Sequence, residues 1–352
     1  MTSNNTITAF FKLDWYMNLF SKSLLALLIY SLLVSPVHAN GLTDQEKCLL
    51  DALDSAGEAT MVGEIQARCE LRAETAETER KEDELIGPVE RRIAAEAKIL
   101  DRSFSLTAHR PNYFLPYTYN SSPNKEAFRL SNPNESIDSA EAKFQVSFKI
   151  PIAQNILDTR NDVFFAFTTR AWWQAYNKDI SSPFRETDYE PELFVRHYGG
   201  PKLGAIKIAG WDVGMAHQSN GKSGSLSRSW NRINANVAME TGNLVVGLRS
   251  WYRIPEDSKN DDNPDLHHYL GYGDVRVLYS RWDQVFTAMF RRGTKKGAFE
   301  LTWSRPIWQQ LRMYLTYFDG YGENLLDYNH HTRRIGFGFG LNDYIEPRGF
   351  GR

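Results

Sequence analysis

The alternation of apolar and polar residues with a period of two most constrains what this chain can fold into. In EAKFQVSFKI, residues 141–150, every second residue is apolar and the residues between them are polar. RIGFGFGLN, residues 334–342, alternates apolar residues with glycine in the same way. Because successive side chains of a strand point to opposite faces, these segments predict β-strands with one apolar face. About eleven such segments lie between Glu141 and Asn342, and Asn112–Tyr119 makes a twelfth.

Strands of this kind form either a soluble sandwich or a membrane barrel. In a sandwich the outer polar faces are wet, whereas here the polar face carries many small residues, which suit a narrow filled lumen. Aromatic residues also fall near strand ends, where the girdles of membrane barrels lie: Trp172, Trp173, Trp251, Tyr252 and Tyr321. Lipid cannot form hydrogen bonds with the backbone N–H and C=O groups of an open sheet edge, so a sheet in a membrane must close into a barrel. The sequence therefore predicts an all-β fold, a twelve-stranded antiparallel transmembrane β-barrel with a short N-terminal helical extension.

The first residues have the pattern of an export signal. Lys12 and Lys22 precede the apolar run SLLALLIYSLLV, and PVHA ends at the small residue Ala39. A membrane anchor is the alternative, but the run is shorter than the ~20 residues that a spanning helix needs. We therefore expect a cleaved signal peptide at 1–39, with Met17 as an alternative start, and a location in the Gram-negative outer membrane.

Between the signal and the strands the pattern is helical and strongly charged. We interpret 40–110 as a periplasmic helical segment, 111–345 as the barrel and 346–352 as a C-terminal tail. Cys48 and Cys69 are the two cysteines of the chain. An even, close pair in an exported chain predicts a disulfide, and two thiols without a nearby histidine do not complete a metal site. The net charge of −2 gives no reason to expect nucleic acid as a partner.

One strand breaks the apolar pattern near its end. The apolar phase of the segment VGMAHQS consists of Val213, Met215, His217 and Ser219. The next strand, WNRINANVAM, places Asn231 in phase with its own apolar residues. The apolar phase faces lipid in a barrel, so three polar side chains are expected on the outer wall. If the turn centres near Ser225, Ser219 lies opposite Asn231 and His217 lies opposite Ile233, close enough to interact.

These three residue types together match an acyl-transfer site. Ser219 would be the nucleophile, which stays weak until a base takes its proton, and His217 would be that base. Asn231 would hold the imidazole in the useful tautomer, and a neutral amide costs less than a carboxylate at a lipid-facing position. The alternative is that the three residues are only the polar rim where strands leave the membrane.

The chain resembles the outer-membrane phospholipase A family in four segments. They are HQSNGKSGSLSRSWNR (217–232), SSPFRETDYEPELF (181–194), DDNPD (261–265) and GYGENLLDYN (320–329). The resemblance implies a twelve-stranded barrel and calcium-dependent hydrolysis of the acyl esters of membrane phospholipids and lysophospholipids. It also implies activation by homodimerisation. His217, Ser219 and Asn231 match the triad of the family one by one.

The resemblance also implies ligands for Ca²⁺. Ser181 matches the ligand that reaches the site of the partner subunit, and Lys222, Ser227 and Asp262 match the remaining positions. Lys222 stands where arginine is usual, but the expected ligand is its backbone carbonyl. The chain departs from other members at Gly224, where some have aspartate, and at Thr169, where some have glutamine.

Other interpretations remain open on the sequence. The chain could be a catalytically silent barrel that acts as a channel or a structural protein, although a filled lumen disfavours a channel. An outer-membrane protease would need more acidic residues at its rim than Asp261 and Asp262. The adjacent histidines of LHHYL (266–270) and NHHTRR (329–334) are expected in loops or at the rim, because neighbours on a strand point to opposite faces.

Overall fold

The computed structural model describes residues 44–54, 63–73, 86–100, 105–156, 159–259, 261–308 and 310–345. The predicted signal peptide and C-terminal tail lie outside these residues. The chain divides into two compact units, Met1–Glu79 and Arg80–Arg352. Within the described ranges, no helix combines the length and apolar character needed to cross a membrane.

The first unit contains two described helices, α1 (Asp44–Asp54) and α2 (63–73). A disulfide joins Cys48 and Cys69, one from each helix. Both cysteines are buried together with Ala52 and Ile65, and Leu49 packs against them. The disulfide therefore lies in the small apolar core between the two helices, where covalent closure adds to limited burial.

Twelve antiparallel strands form a closed ring in the second unit. They are β1 (Tyr113–Asn120), β2 (Ala140–Ala153), β3 (Asn161–Trp173), β4 (Phe184–Tyr198), β5 (Ile206–Ser219), β6 (Ser229–Thr241), β7 (Leu244–Arg253), β8 (Gly273–Arg281), β9 (Gln284–Arg292), β10 (Gly297–Trp308), β11 (Leu311–Gly320) and β12 (Thr332–Gly340). Each strand pairs with its neighbours in sequence, and β12 pairs with β1. The predicted twelve-stranded barrel is thus confirmed, and its closure leaves no open edge between these strands.

The polar phase of β2 faces the lumen, as the alternation predicts. Its inward side chains are buried: Glu141, Lys143, Gln145, Ser147 and Lys149. Val146 in the opposite phase is 47% exposed on the outer wall. A charged residue in the lumen is removed from water, so it needs a partner. Lys143 accordingly lies 2.9 Å from Glu323 and Lys149 lies 2.6 Å from Glu96.

Ion pairs close the lumen at the level of the loop after β11. Arg334 contacts Glu141 at 2.8 Å and Glu323 at 2.9 Å. Arg185 contacts Glu141 and Asp327 at 2.6 Å each. The neighbouring guanidinium of Arg185 and the Asn324 amide lower the pKa of Asp327 below its usual value, although burial alone would raise it. A lumen filled in this way disfavours a passive channel.

Two other helices belong to the second unit, α3 (Pro88–Leu100) and the short α4 (Lys125–Ser131). Helix α3 lies at the barrel end remote from the β5–β6 loop. Its Val89 N–H donates to Glu240 at the end of β6 at 2.9 Å, and Leu100 packs with Phe164 and Phe194. The sequence grouped 40–110 as one segment, whereas the structure divides it between the two units. The reason is that α3 buries both apolar and charged side chains against the barrel.

The aromatic girdle prediction was wrong for two tryptophans. Trp172 is completely buried, and Trp251 is 7% exposed in an inward cluster with Trp230 and Leu266. Trp173 lies on the opposite face from Trp172 and stacks on Phe184. A position near a strand end does not reveal which face a residue takes, so proximity to the end was an insufficient signal.

Candidate active site

Strands β5 and β6 and the loop between them carry the predicted catalytic residues. His217 pairs directly with Asn231, and Ser219 pairs with Ser229. The predicted pairing of Ser219 with Asn231 was therefore wrong. The loop contains a short 3₁₀ turn, Gly224–Leu226, which Gly224 enters with a φ of +62°. A left-handed residue followed by this turn moves the centre of the loop one residue towards the N-terminus, and the register shifts with it.

The outward face of β5 and β6 carries the site. In phase with His217 and Ser219 are Val213 and Met215, which are 43% and 56% exposed. Ile233, in phase with Asn231, is 43% exposed. His217, Ser219 and Asn231 are themselves half-buried. The structure thus places all three on the outer wall of the barrel, next to side chains that face lipid.

A hydrogen bond joins two of these residues. His217 Nδ1 lies 2.9 Å from Asn231 Oδ1. Because an amide oxygen only accepts, Nδ1 carries a proton, and in the neutral ring Nε2 keeps its lone pair. Ser219 follows two residues later on the same face, so its hydroxyl is the nearest nucleophile on β5 to that ring. The arrangement places an imidazole and a serine hydroxyl on the same face of β5, two residues apart.

The inward face of the same strands is held by a buried polar network. The Trp230 indole N–H donates to Gln218 Oε1 at 3.0 Å, and Arg232 donates to the same oxygen at 3.2 Å. Gln218 donates to Asp188 of β4, and Arg232 forms an ion pair with Glu190 of that strand. These residues alternate with the site residues along both strands. They therefore hold the backbone that carries His217 and Asn231.

Two of the predicted calcium ligands lie together beside this site. The Ser227 hydroxyl donates to Asp262 Oδ2 at 2.7 Å, and the Ser229 N–H donates to Asp262 Oδ1 at 3.0 Å. Ser229 pairs with Ser219, so Asp262 lies one strand away from Ser219. Asp262 makes no ion pair with any described lysine, arginine or histidine, in contrast to its neighbour Asp261, which contacts Arg253 at 2.6 Å.

The other two predicted ligands are placed differently. The Lys222 ammonium lies 3.0 Å from Glu186 Oε2 and donates to the Arg185 carbonyl at 2.6 Å. Only the backbone carbonyl of Lys222 is thus left as a ligand. Ser181 is exposed with a φ of +54°, and in the described structure no hydrogen bond links it to Ser227 or Asp262.

The donor set fits calcium in its chemistry. It consists of hydroxyl, carboxylate and carbonyl oxygens, which are the ligands calcium takes. The described residues contain no group of three or more histidine, cysteine or acidic side chains that could hold a metal. A site here therefore needs hydroxyl and backbone ligands in addition to Asp262.

The adjacent histidines belong to no such group in the described part of the chain. His267 and His268 lie in the 3₁₀ turn Leu266–His268, and their ring centroids are 4.3 Å apart. Both residues therefore lie in the loop between β7 and β8, as the sequence predicts for this pair. His330 contacts the Ser122 carbonyl, whereas His331 contacts Asp319.

Sequence reasoning missed Glu256. Its Oε1 accepts a hydrogen bond of 3.2 Å from Asn231 Nδ2. The residue follows the end of β7 in WYRIPED, where no periodicity or motif distinguishes it from the neighbouring acidic residues. Only the fold brings it to the site.

Comparison with known proteins places the chain in a family. Residues 89–341 match the model of the family described as phospholipase A1. Phospholipase A1 of Escherichia coli is 37% identical over 245 residues, which is 69% of this chain and 83% of that protein. A putative phospholipase A1 of Neisseria meningitidis is 41% identical over 249 residues, 67% of this chain and 65% of that protein.

Solved structures agree with this placement. The outer membrane phospholipase A of Escherichia coli superposes with a TM-score of 0.65 at 35% identity, over 70% of this chain and 97% of that chain. The outer membrane phospholipase of Salmonella typhi, a dimer with bound calcium, superposes with a TM-score of 0.67 at the same identity and coverage. The fold, the matched region and these relatives together show that the chain is an enzyme, a phospholipase that belongs to the phospholipase A1 family.

Proposed function

We propose that this chain hydrolyses the acyl esters of phospholipids and lysophospholipids in the outer membrane, with Ser219 as nucleophile, His217 as base and Asn231 as orienting residue. The observation that carries the proposal is the 2.9 Å bond between His217 and Asn231 on the lipid-facing wall. An ester next to this wall can reach Ser219 without leaving the bilayer. The membership of the family supports the same reaction.

The proposed reaction proceeds in two displacements. His217 Nε2 takes the Ser219 Oγ proton as Oγ bonds to the ester carbonyl carbon. The tetrahedral intermediate then loses the glycerol oxygen, which takes the proton from His217 and leaves as a lysophospholipid. A water molecule gives its proton to the same nitrogen and attacks the acyl-enzyme. Release of the fatty acid returns a proton to Ser219.

The proposed function includes a calcium ion, because the oxygen donors next to Ser219 are of the kinds that calcium binds. Asp262, Ser227 and the Lys222 carbonyl would hold it, together with Ser181 of the partner subunit. When bound, the ion supplies positive charge that stabilises the developing oxyanion. The side-chain pairing of Ser227 with Asp262 beside Ser219 supports a site in this position.

A homodimer is the proposed active form. The support is that the Salmonella typhi relative is a dimer with bound calcium. In this chain, Thr169 pairs with Tyr189 and Tyr189 pairs with Ser219, so the outer wall of β3 and β4 adjoins the nucleophile. A second copy on this wall would cover the site and bring its own Ser181 to it.

The test is hydrolysis of phospholipid in mixed micelles, with calcium and with EDTA. Ser219→Ala is expected to lose activity, and EDTA is expected to inactivate the wild type reversibly. Ser250→Ala provides the control, because Ser250 is an exposed serine on β7, away from the site. Both variants should keep the barrel, seen as heat-modifiable migration on a gel. Hydrolysis by a folded Ser219→Ala variant would reject the assignment.

A further inference from the structure

Asn231 makes side-chain hydrogen bonds to two residues. Its Oδ1 lies 2.9 Å from His217 Nδ1, and its Nδ2 lies 3.2 Å from Glu256 Oε1. The three side chains therefore form a chain of hydrogen bonds that begins at the imidazole. The chain ends on a carboxylate outside the predicted catalytic set.

The carboxylate decides the orientation of the amide. An asparagine side chain can turn by half a rotation and exchange its oxygen and nitrogen at almost no change in shape. An ionised carboxylate only accepts hydrogen bonds, so it can pair with Nδ2 and repels Oδ1. With Glu256 in place, Oδ1 must face His217. The turned amide would offer N–H to Nδ1, which would move the ring proton to Nε2 and remove the base.

The fold holds Glu256 in place through its own short segment. The Ile254 N–H donates to the Asn231 carbonyl at 2.8 Å, so the chain stays paired with β6 up to that residue. Pro255 has no N–H to continue the ladder. Arg253 contacts the Asn263 carbonyl at 2.9 Å and Asp261 at 2.6 Å, which anchors the segment to the loop. Glu256 is half-buried and forms no ion pair with a described cation.

We propose that Glu256 is a positioning residue of the active site, which acts on His217 through Asn231 by fixing the direction of the amide. This inference rests on the proposed function, because it assigns the role within the same site. The negative charge also favours the imidazolium that forms when Ser219 loses its proton. Glu256 touches neither the substrate nor the reacting atoms.

Other titratable groups also surround the imidazole on the outer face. Tyr189 of β4 pairs with Ser219, and Asp262 accepts from the Ser229 N–H on β6. Neither forms a hydrogen bond with the Asn231 side chain among the described residues, so neither can determine which way its amide points. The pH profile of one protein combines the titration of all these groups. The test therefore compares variants that differ only at Glu256.

Three substitutions separate charge from orientation. Glu256→Ala removes both and should lower kcat about fivefold, the equivalent of about 1 kcal/mol for one hydrogen bond, with KM changed less than about twofold. Glu256→Gln can accept from Nδ2 but can also donate to a turned amide, so its kcat should lie between those of the wild type and Glu256→Ala. Its loss of charge should move the acidic limb of the kcat profile to lower pH, because the imidazolium is less favoured. Asp257→Asn is the matched control, because it removes the same charge from the next residue, which is exposed.

A double-mutant cycle shows whether the effect passes through Asn231. In an Asn231→Ala background, Glu256→Ala should cause a much smaller loss, because only the effect of its charge remains. An equal loss in both backgrounds would overturn the proposal, as would a folded Glu256→Ala variant with the kcat and pH profile of the wild type. Heat-modifiable migration on a gel reports folding of every variant.

The tautomer of His217 gives a readout that does not need activity. Nitrogen NMR of the imidazole should show the proton on Nδ1 in the wild type and a mixture of tautomers in Glu256→Ala, with His217→Asn identifying the signal. A single Nδ1–H tautomer in both proteins would reject the role of Glu256 even if hydrolysis is found. Conversely, a tautomer change in Glu256→Ala without any Ser219-dependent hydrolysis would support the role of Glu256 in orienting Asn231 and would reject the proposed function.

Discussion

Replacement of Asn231 by alanine gives a sharp test of the site. The lost bond joins Asn231 Oδ1 and His217 Nδ1 at 2.9 Å. A neutral hydrogen bond contributes about 1 kcal/mol, and one to a charged group about 1.5–3 kcal/mol. Only the additional hydrogen-bond energy that appears when His217 becomes an imidazolium accelerates the reaction. The difference of about 0.5–2 kcal/mol corresponds to a fall in kcat of about 2- to 30-fold.

The assay is steady-state hydrolysis in mixed micelles at saturating calcium. Asn243→Ala is the matched control, because Asn243 lies in the turn at the other end of β6. It should retain wild-type kcat. Activity of Asn231→Ala within about twofold of the wild type would refute the orienting role. A loss as complete as that of Ser219→Ala would also refute the reasoning, because one orienting bond cannot account for it.

Three further predictions concern the proposed calcium site, the contact of α3 with the barrel and the ion pairs in the lumen. Asp262→Asn should raise the calcium concentration for half-maximal activity about tenfold, because one ligand loses its charge. Neighbouring Arg92 and Lys149 outweigh the effect of burial and lower the pKa of Glu96 from 4.5 to about 2. Glu96→Gln should therefore cost up to about 3 kcal/mol in urea unfolding at neutral pH. Because the folded pKa is the lower one, this cost should persist above pH 4.5 and vanish as the pH falls to about 2. Arg334→Met removes one of the two cationic partners of both Glu141 and Glu323 and should cost up to about 3–5 kcal/mol, whereas Arg333→Met at the surface should cost less than about 1 kcal/mol.

Each of these predictions has a contradicting result. Unchanged calcium dependence in Asp262→Asn would remove that residue from the ligand set. A difference between Glu96→Gln and the wild type that grows on acidification would contradict the sign of the pKa shift. Equal losses in the two arginine variants would show that the pairs in the lumen are not the source of the stability.

The inner and outer faces of the strands were predictable, whereas their pairing was not. The face of His217, Ser219 and Asn231 followed from counting by twos, because side-chain direction along a strand depends only on spacing. The register of β5 against β6 depended on the loop conformation at Gly224, and a shift of its centre by one residue changed the partner of His217. The error left the site intact because the shift moved the pairing by two residues, which preserves the face.

The alternation in the sequence by itself determined an all-β barrel, the lipid-facing side of each strand and the cluster of polar residues on that side. Only the tertiary structure decided the contents of the lumen, the division of the helices and the place of Glu256. The physical reason is the range of the interactions. Arg334 and Thr118, which share a hydrogen bond, are 216 positions apart. Their contact exists only once twelve strands have closed into a ring, and no local pattern records it.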